Sequence, residues 1–171
     1  LQLGTARAYR LKLETGASEC ELDVGGLPLT EVLIRQGAAA MVMNFSAPNP
    51  QVMSQLILEC GAGSSEIRNL SNAAFEAMTI DGGAGSYKLD FGVPLMHDAT
   101  LAMHLGASSI DLSVPQGTAV AMKTETMMGS VNARGFEKRG NTYANRAAID
   151  ESRTSPLLRV KAATLPEVFV P

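Results

Sequence analysis

Short runs in which apolar and polar residues alternate recur along most of the chain. One such run is Leu11-Lys12-Leu13, and others end at Ile34, Leu58 and Leu105. A glycine follows each run within three positions, and the alternation then resumes, as in Tyr87-Lys88-Leu89. Alternation with period two is typical of a strand with one buried face. The pattern predicts a repeating unit of strand, glycine corner, strand and variable turn.

The corner glycines recur at a nearly constant interval. They are 21 to 24 positions apart and are each followed by Ala or Ser: Gly16, Gly37, Gly61, Gly83, Gly106 and Gly129. A fixed period of this size indicates stacked repeats, one supersecondary unit each. Glycine suits such a corner because it tolerates sharp turns and close backbone approach. The predicted inward ladder beside the corner is Leu13, Ile34, Leu58, Ile80 and Leu105.

We predict an all-β fold, a single-domain β-solenoid spanning residues 1–171, with six to seven coils and a repeat of about 22 residues. Sheet twist and the crossover rule favour a right-handed coil. A hairpin meander or sandwich is the structural alternative, since it also has short, evenly spaced strands. The same dipeptide at every second turn favours the solenoid.

The repeat breaks down between Arg134 and Ser155, where the sequence is polar and bounded by glycines. We interpret residues 136–156 as an insertion that caps the solenoid before a last coil near Leu157. Solenoid ends need such cover because terminal coils expose unpaired strand edges. The segment Ser71–Met78 is the best helix candidate, but its flanks and the repeat frame favour a loop or strand.

The run Gly83-Ala84-Gly85-Ser86-Tyr87-Lys88-Leu89, followed by Gly106-Ala107-Ser108-Ser109-Ile110 and Val114-Pro115-Gln116-Gly117, resembles the bacterial toast-rack domains. These are similar to the C-terminal domain of cell-wall-active antibiotic response proteins and to adhesin-like envelope domains. The resemblance covers residues 8–135 well and the C-terminal region loosely. It implies an extracytoplasmic β-solenoid, tethered by a lipoprotein anchor or membrane helix, with no agreed enzymatic activity and a link to envelope stress responses.

Composition narrows the classes of partner. A net charge of −3 gives no reason to expect nucleic acid binding, and the apolar runs are too short to cross a bilayer. The chain starts at Leu1 rather than Met and shows no signal peptide, so we expect a fragment or a processed form. The extracytoplasmic location that the resemblance implies then places the anchor outside this sequence. Cys20 and Cys60 are two repeats apart, about 9–10 Å in a stacked sheet, which exceeds the reach of a disulfide.

No catalytic, cofactor or metal site is predicted. His97 and His104 have no nucleophile or metal-ligand spacing around them. Asp23, Glu66, Asp90 and Asp111 occupy similar positions after the corner and form a candidate acidic stripe, with a solvated strand face as the simpler interpretation. A polysaccharide-active enzyme built on paired acids is therefore kept as an alternative function.

The charge is distributed unevenly. Residues 134–161 carry a net charge of +4, whereas residues 1–133 carry −6. This favours a partner surface for an anionic envelope polymer, lipid or another envelope protein, formed by Arg134, Lys138, Arg139, Arg146 and Arg153. The predicted function is a non-enzymatic, adhesion-like envelope scaffold, active as a monomer or small homo-oligomer. A self-assembling cytoplasmic solenoid is the other alternative.

Overall fold

The computed structural model describes residues 7–17, 19–126, 131–133, 135–150, 152–164 and 167–170. Over these residues the alternating runs form one folded β-sheet, and the predicted β-solenoid class is confirmed. Its strands are Tyr9–Thr15 (β1), Cys20–Asp23 (β2), Leu29–Asn44 (β3), Met53–Arg68 (β4), Phe75–Gly82 (β5), Gly85–Asp90 (β6), Ala99–Leu105 (β7), Ser108–Ser113 (β8), Ala119–Thr126 (β9), Val131–Ala133 (β10), Phe136–Arg139 (β11), Thr142–Asn145 (β12), Leu157–Thr164 (β13) and Glu167–Val170 (β14). A short helix covers Arg146–Ile149 (α1).

Each repeat forms one rung, with a strand on a first face before the corner and a strand on a second face after it. The first face stacks β1, β3, β4, β5 and β7 in parallel, and the second stacks β2, β3, β4, β6 and β8. In β3 and β4 the strand continues through the corner for 16 residues. These five rungs follow one another in chain order and make about four turns. The predicted six to seven coils are too many, because the chain stops winding in order after β8.

The corner glycines stack directly on one another. A Cβ built on Gly37 would lie 3.2 Å from the carbonyl oxygen of Gly16, and one on Gly61 would lie 3.3 Å from that of Gly37. A Cβ on Gly83 would overlap the carbonyl oxygen of Gly61, and one on Gly106 would lie 3.3 Å from the carbonyl oxygen of Gly83. The prediction that these five glycines share one corner is confirmed, whereas Gly129 lies outside the described residues.

Replacing Gly83 with Ala is expected to lower the free energy of unfolding by about 1–3 kcal/mol, the usual cost of overpacking. The new methyl group would overlap backbone, which cannot rotate away as a side chain can. The matched control is Gly16→Ala, where nothing lies within 4 Å of the added Cβ and the change should stay within about 0.5 kcal/mol. Urea unfolding measures both, and equal stabilities of the two variants would contradict the stacked corner.

The interior ladder agrees with the alternation at four of its five predicted positions. Leu13, Ile34, Leu58 and Ile80 are in register across β1, β3, β4 and β5. The next member is Met103, which is fully buried, and not Leu105. Leu105 lies one position before its glycine whereas the others lie three before theirs, so it pairs with Gly82 instead.

A third side of the coil is made of loops, which carry buried polar groups. Asn49 in the loop before β4 accepts hydrogen bonds from the amides of Leu29 (3.2 Å) and Gln51 (2.9 Å). Its amide donates to the carbonyls of Leu29 (2.8 Å) and Ala73 (3.2 Å). One side chain therefore joins three successive rungs. The loop before β5 contains a 3₁₀ helix, Leu70–Ala73, so this segment is helical for one turn before β5 begins at Phe75.

The C-terminal part departs from the winding order. On the first face the sequence of strands is β7, β13, β9, and on the second face it is β8, β14, β10. The rung made by residues 157–170 therefore lies between two rungs that precede it in the chain. The hairpin β11–β12 pairs antiparallel with the outer edge of β9, where Asn145 accepts from the amide of Val120 (3.1 Å) and donates to the carbonyl of Thr118 (2.6 Å).

Candidate functional site

A ladder of acidic and basic side chains follows the glycine corner on the outside of the first face. Its members are in register across five strands: Glu14, Arg35, Glu59, Asp81 and His104. Arg35 Nε lies 2.8 Å from Glu59 Oε2, and Arg35 Nη1 lies 3.6 Å from Glu14. His104 Nδ1 lies 2.8 Å from Asp81 Oδ1. Arg35 thus lies between two acids and Asp81 contacts His104, while the acids Glu59 and Asp81 are adjacent to each other. Oppositely charged neighbours offset part of the repulsion between stacked like charges.

This ladder borders an open depression of about 520 Å³, which Glu14, Glu59, Cys60 and Asp81 help to line. A polysaccharide-cleaving acid needs a carboxyl with a raised pKa, but the Lys12 ammonium lowers the pKa of Glu14. Burial raises the pKa of the Cys60 thiol, which makes it a weak nucleophile at neutral pH. The arrangement is that of an exposed network of ion pairs.

The candidate acidic stripe on the second face is split between two rows. Glu66, Lys88 and Asp111 are in register, so a cation lies between the two acids, and Lys88 Nζ is 3.4 Å from Glu66. Asp23 lies in the next row and accepts hydrogen bonds from the Gly25 amide (2.9 Å) and the Ser46 hydroxyl (2.9 Å). These bonds, that of Gly25 first, lower the pKa of Asp23. Asp23 therefore fixes a turn.

The histidines and cysteines are scattered. His97 Nδ1 lies 3.0 Å from the backbone carbonyl of Asp98, and Cys20 and Cys60 are both free and partly buried. In the part of the chain that the structure describes, no three His, Cys, Asp or Glu residues lie close enough together to hold a metal ion.

The predicted C-terminal basic residues are spread over three elements beyond β9. Lys138 and Arg139 lie on β11, with the Lys138 ammonium 5.2 Å from the Tyr143 ring centroid and Arg139 3.6 Å from Glu137. Arg146 begins α1 and lines a depression of about 360 Å³ with Glu137 and Asp150. Arg153 donates to the carbonyls of Ser155 (3.2 Å) and Ala148 (3.4 Å), so it braces a turn. Arg134 lies outside the described residues.

Two lysines, Lys123 and Lys161, lie in line with Arg139 across neighbouring strands. Lys161 on β13 is in register with Lys123 on β9. The same row continues through Thr142 on β12 to Arg139 on β11. We call Lys161, Lys123 and Arg139 the cationic row. Its members are exposed, and the row spans three strand spacings, about 14 Å. A depression of about 250 Å³ lies beside it, lined by His104, Lys123, Glu125 and Lys161.

The cationic row brings Lys123 and Lys161 next to each other, whereas the adjacent acids of the corner ladder, Glu59 and Asp81, each have a partner on the other side. Lys123 Nζ is 3.1 Å from Glu125, which lies further along its own strand. Among the described residues, no carboxylate lies within 4 Å of the Lys161 ammonium. Like charges directly opposite each other in a sheet are unfavourable by roughly 0.2–1 kcal/mol. A bound anion would remove this cost.

The sequence hides the cationic row because its members are far apart in the chain. Lys123 and Lys161 lie in different repeats, and only the out-of-order position of β13 places them on neighbouring strands. A prediction that stacks repeats in chain order places Lys161 at the end of the solenoid. The sequence does show that residues 134–161 carry a net positive charge, and this segment includes Arg139 and Lys161. The net charge does not show where these two residues lie in the fold.

No protein-family model and no curated protein matches the sequence. Among solved structures, the fold is similar to the crystal structure of a "putative cell adhesion protein" from Clostridium sporogenes. The TM-score is 0.69 and the identity is 16%, over 98% of this chain and 93% of that one. No helix in the described part of the chain combines the length and apolar composition that crossing a bilayer requires.

Proposed function

We propose that this solenoid is a non-enzymatic scaffold of the bacterial envelope, and that its cationic row holds an anionic envelope polymer. The observation that carries the proposal is the registered pair of lysines, Lys161 and Lys123, extended by Arg139 across the same face. An adhesion-like role is in keeping with the description of the solved structure whose fold this chain shares. The resemblance to toast-rack domains supports an extracytoplasmic location and a connection to envelope stress.

An extended polymer fits the geometry better than a small anion. The three cations lie in a line on an open strand face, and the row is not enclosed. A chain with repeated carboxylates or phosphates meets several of these cations at once, so weak exposed contacts add together. Arg139 also offers a planar guanidinium that binds either group through two hydrogen bonds.

The test is a double variant, Lys123→Gln with Lys161→Gln, measured against polygalacturonate and polyphosphate. We expect the double variant to lose about tenfold or more in affinity, equivalent to roughly 1.4 kcal/mol. Binding by the parent chain should also weaken as salt is raised, because the contacts are exposed. Isothermal titration calorimetry measures both effects.

The matched control is Lys12→Gln. Lys12 belongs to the same lateral row of the first face, but on β1 at the opposite end, where it pairs with Glu14 at 2.7 Å. Its replacement should leave polymer affinity unchanged. Equal binding of neutral dextran, or a double variant that binds as well as Lys12→Gln, would overturn the proposal.

A further inference from the structure

The rung formed by β13 and β14 fills a slot between two rungs that precede it in the chain. β7 and β8 form one wall, and β9 and β10 form the other. β13 pairs in parallel with β7 from Leu158 to Thr164 and with β9 from Leu157 to Thr164. β14 likewise pairs with β8 and β10. From β1 to β8, by contrast, each rung stacks on the rung that precedes it in the chain.

The slot holds β13 through backbone pairing and through buried side chains. The same strand from another copy of the chain would make the same contacts. The backbone groups of both walls pair with β13, and its inward side chains Leu158, Val160 and Ala162 are at most 2% exposed. Side chains at alternate positions give the specificity, as in other cases of strand addition. None of these contacts depends on which copy of the chain supplies the strand.

The connection into the slot is an exposed turn. The Ser152 amide and hydroxyl both donate to Asp150 Oδ1, at 2.9 and 2.6 Å. Ser155 and Pro156 line a cavity of about 130 Å³ together with residues of the loops before β7 and β9. In the described part of the connection, which leaves out residue 151, no side chain is buried and the hydrogen bonds are local.

A single carboxylate fixes the point where the segment enters. Asp98, just before β7, accepts from the Leu157 amide at 2.8 Å and from Arg159 Nη1 at 3.0 Å. The Leu157 bond, followed by Arg159, lowers the pKa of Asp98. The Arg159 contact is exposed and the Leu157 contact is partly buried, and neither involves a side chain of the interior ladder.

We propose that the slot between β7–β8 and β9–β10 is a strand-binding site for residues 157–170 of a second copy of this chain. Exchange leaves each protomer with the same pairing that the isolated chain has, and only the turn at 150–156 changes its course. Two copies that exchange reciprocally form a closed dimer, and copies that exchange in one direction form open chains. The proposal concerns assembly and does not depend on polymer binding at the cationic row.

The experiment uses mixed single-cysteine chains in a background with Cys20→Ala and Cys60→Ala. One population carries Ala102→Cys on β7 and the other carries Lys161→Cys on β13, with tags of different size. These positions are in register, and neighbouring parallel strands lie about 4.8 Å apart, within the Cα range of a disulfide. Mild oxidation and a non-reducing gel then detect covalent heterodimers, which we expect because the slot accepts the other copy's strand.

Two controls make the result decisive. The pair Ile57→Cys and Thr79→Cys is in register between β4 and β5, which are wound in chain order, and should give several-fold fewer heterodimers. A single chain that carries both Ala102→Cys and Lys161→Cys should close internally, which shows that the pair can form. If that chain closes while the mixed populations give no more heterodimer than the β4–β5 pair, the proposal is wrong.

The Asp98 contact provides a second measurement. Asp98→Ala should raise the rate of heterodimer formation several-fold, because the entry point loses both of its hydrogen bonds. Asp81→Ala removes an equally exposed carboxylate that pairs with His104 between successive rungs and should leave the rate unchanged. Equal rates for the two variants would contradict the role given to the entry point.

Discussion

Deleting residues 157–171 is expected to unfold the end of the solenoid and to make the remaining chain self-associate. The deletion removes Leu157, Leu158 and Val160, whose exposed fractions are 7%, 0% and 1%. At about 1.5–3 kcal/mol for each buried aliphatic side chain, the loss is roughly 5–9 kcal/mol. A domain of this size has a total stability of about 5–15 kcal/mol, so the rungs beside the slot should not remain folded.

The consequence for solubility follows from the strand edges. Without β13 and β14, the facing edges of β7 and β9 lose their partners, and unpaired parallel edges are sites of aggregation. Hydrogen exchange should show lost protection in β9 and retained protection in β3 and β4. Light scattering should show large assemblies. A monodisperse chain with β9 still protected would contradict this account.

The control replaces residues 137–154 with a Gly-Ser linker of the same length. This removes the hairpin β11–β12 and α1 but leaves the strand that fills the slot and enough chain to reach it. We expect the interior to melt close to the parent, while the exposed outer edge of β9 promotes association. If this variant stays monodisperse, the hairpin is a loop with no capping role.

Asn49→Ala is expected to lower the free energy of unfolding by at least about 3 kcal/mol. The substitution leaves the Leu29 amide and the carbonyls of Leu29 and Ala73 without the partner they have in the folded chain. Each such buried group costs about 1–3 kcal/mol. Because Asn49 is only 8% exposed, water does not readily replace the lost bonds.

Asn72→Ala is the graded comparison for Asn49. Asn72 is half-buried in the next loop and makes one such bond, from Nδ2 to the carbonyl of Phe45 at 2.8 Å. Its loss should cost about 1 kcal/mol. Thermal and urea unfolding of the two variants test whether Asn49 joins three rungs, and similar stabilities would argue against that role.

The regular rungs were predictable because each one repeats a local constraint. Gly37, Gly61, Gly83 and Gly106 must stack closely on the corner before them, and this need appears in the sequence as a period. The inward ladder failed only at Leu105, where counting three positions back from Gly106 gives Met103. The number of residues between a side chain and its corner glycine therefore predicts which residues are in register on consecutive rungs.

The order of the last rungs and the cationic row were not predictable by the same reasoning. The alternation in Leu157–Thr164 identifies a strand but does not indicate which two strands it will pair with. Lys123 and Lys161 become neighbours only through that pairing. The excess of basic residues in 134–161 predicted a charged end, but Arg153 proved to brace a turn. Which charges lie together depends on the order of the strands in the sheet, and the sequence repeat does not specify that order for the last rungs.

The inserted rung also determines how the protein can be made. A ribosome delivers the chain from its N-terminus, and the rungs from β1 to β8 can wind as they emerge, each upon the one before. β9 and β10 cannot take their final partners then, because residues 157–170 have not yet been synthesised. Their pairing closes long loops, which is slow. The last rungs of this domain are therefore completed only after residues 157–170 have been synthesised, later than the rungs from β1 to β8.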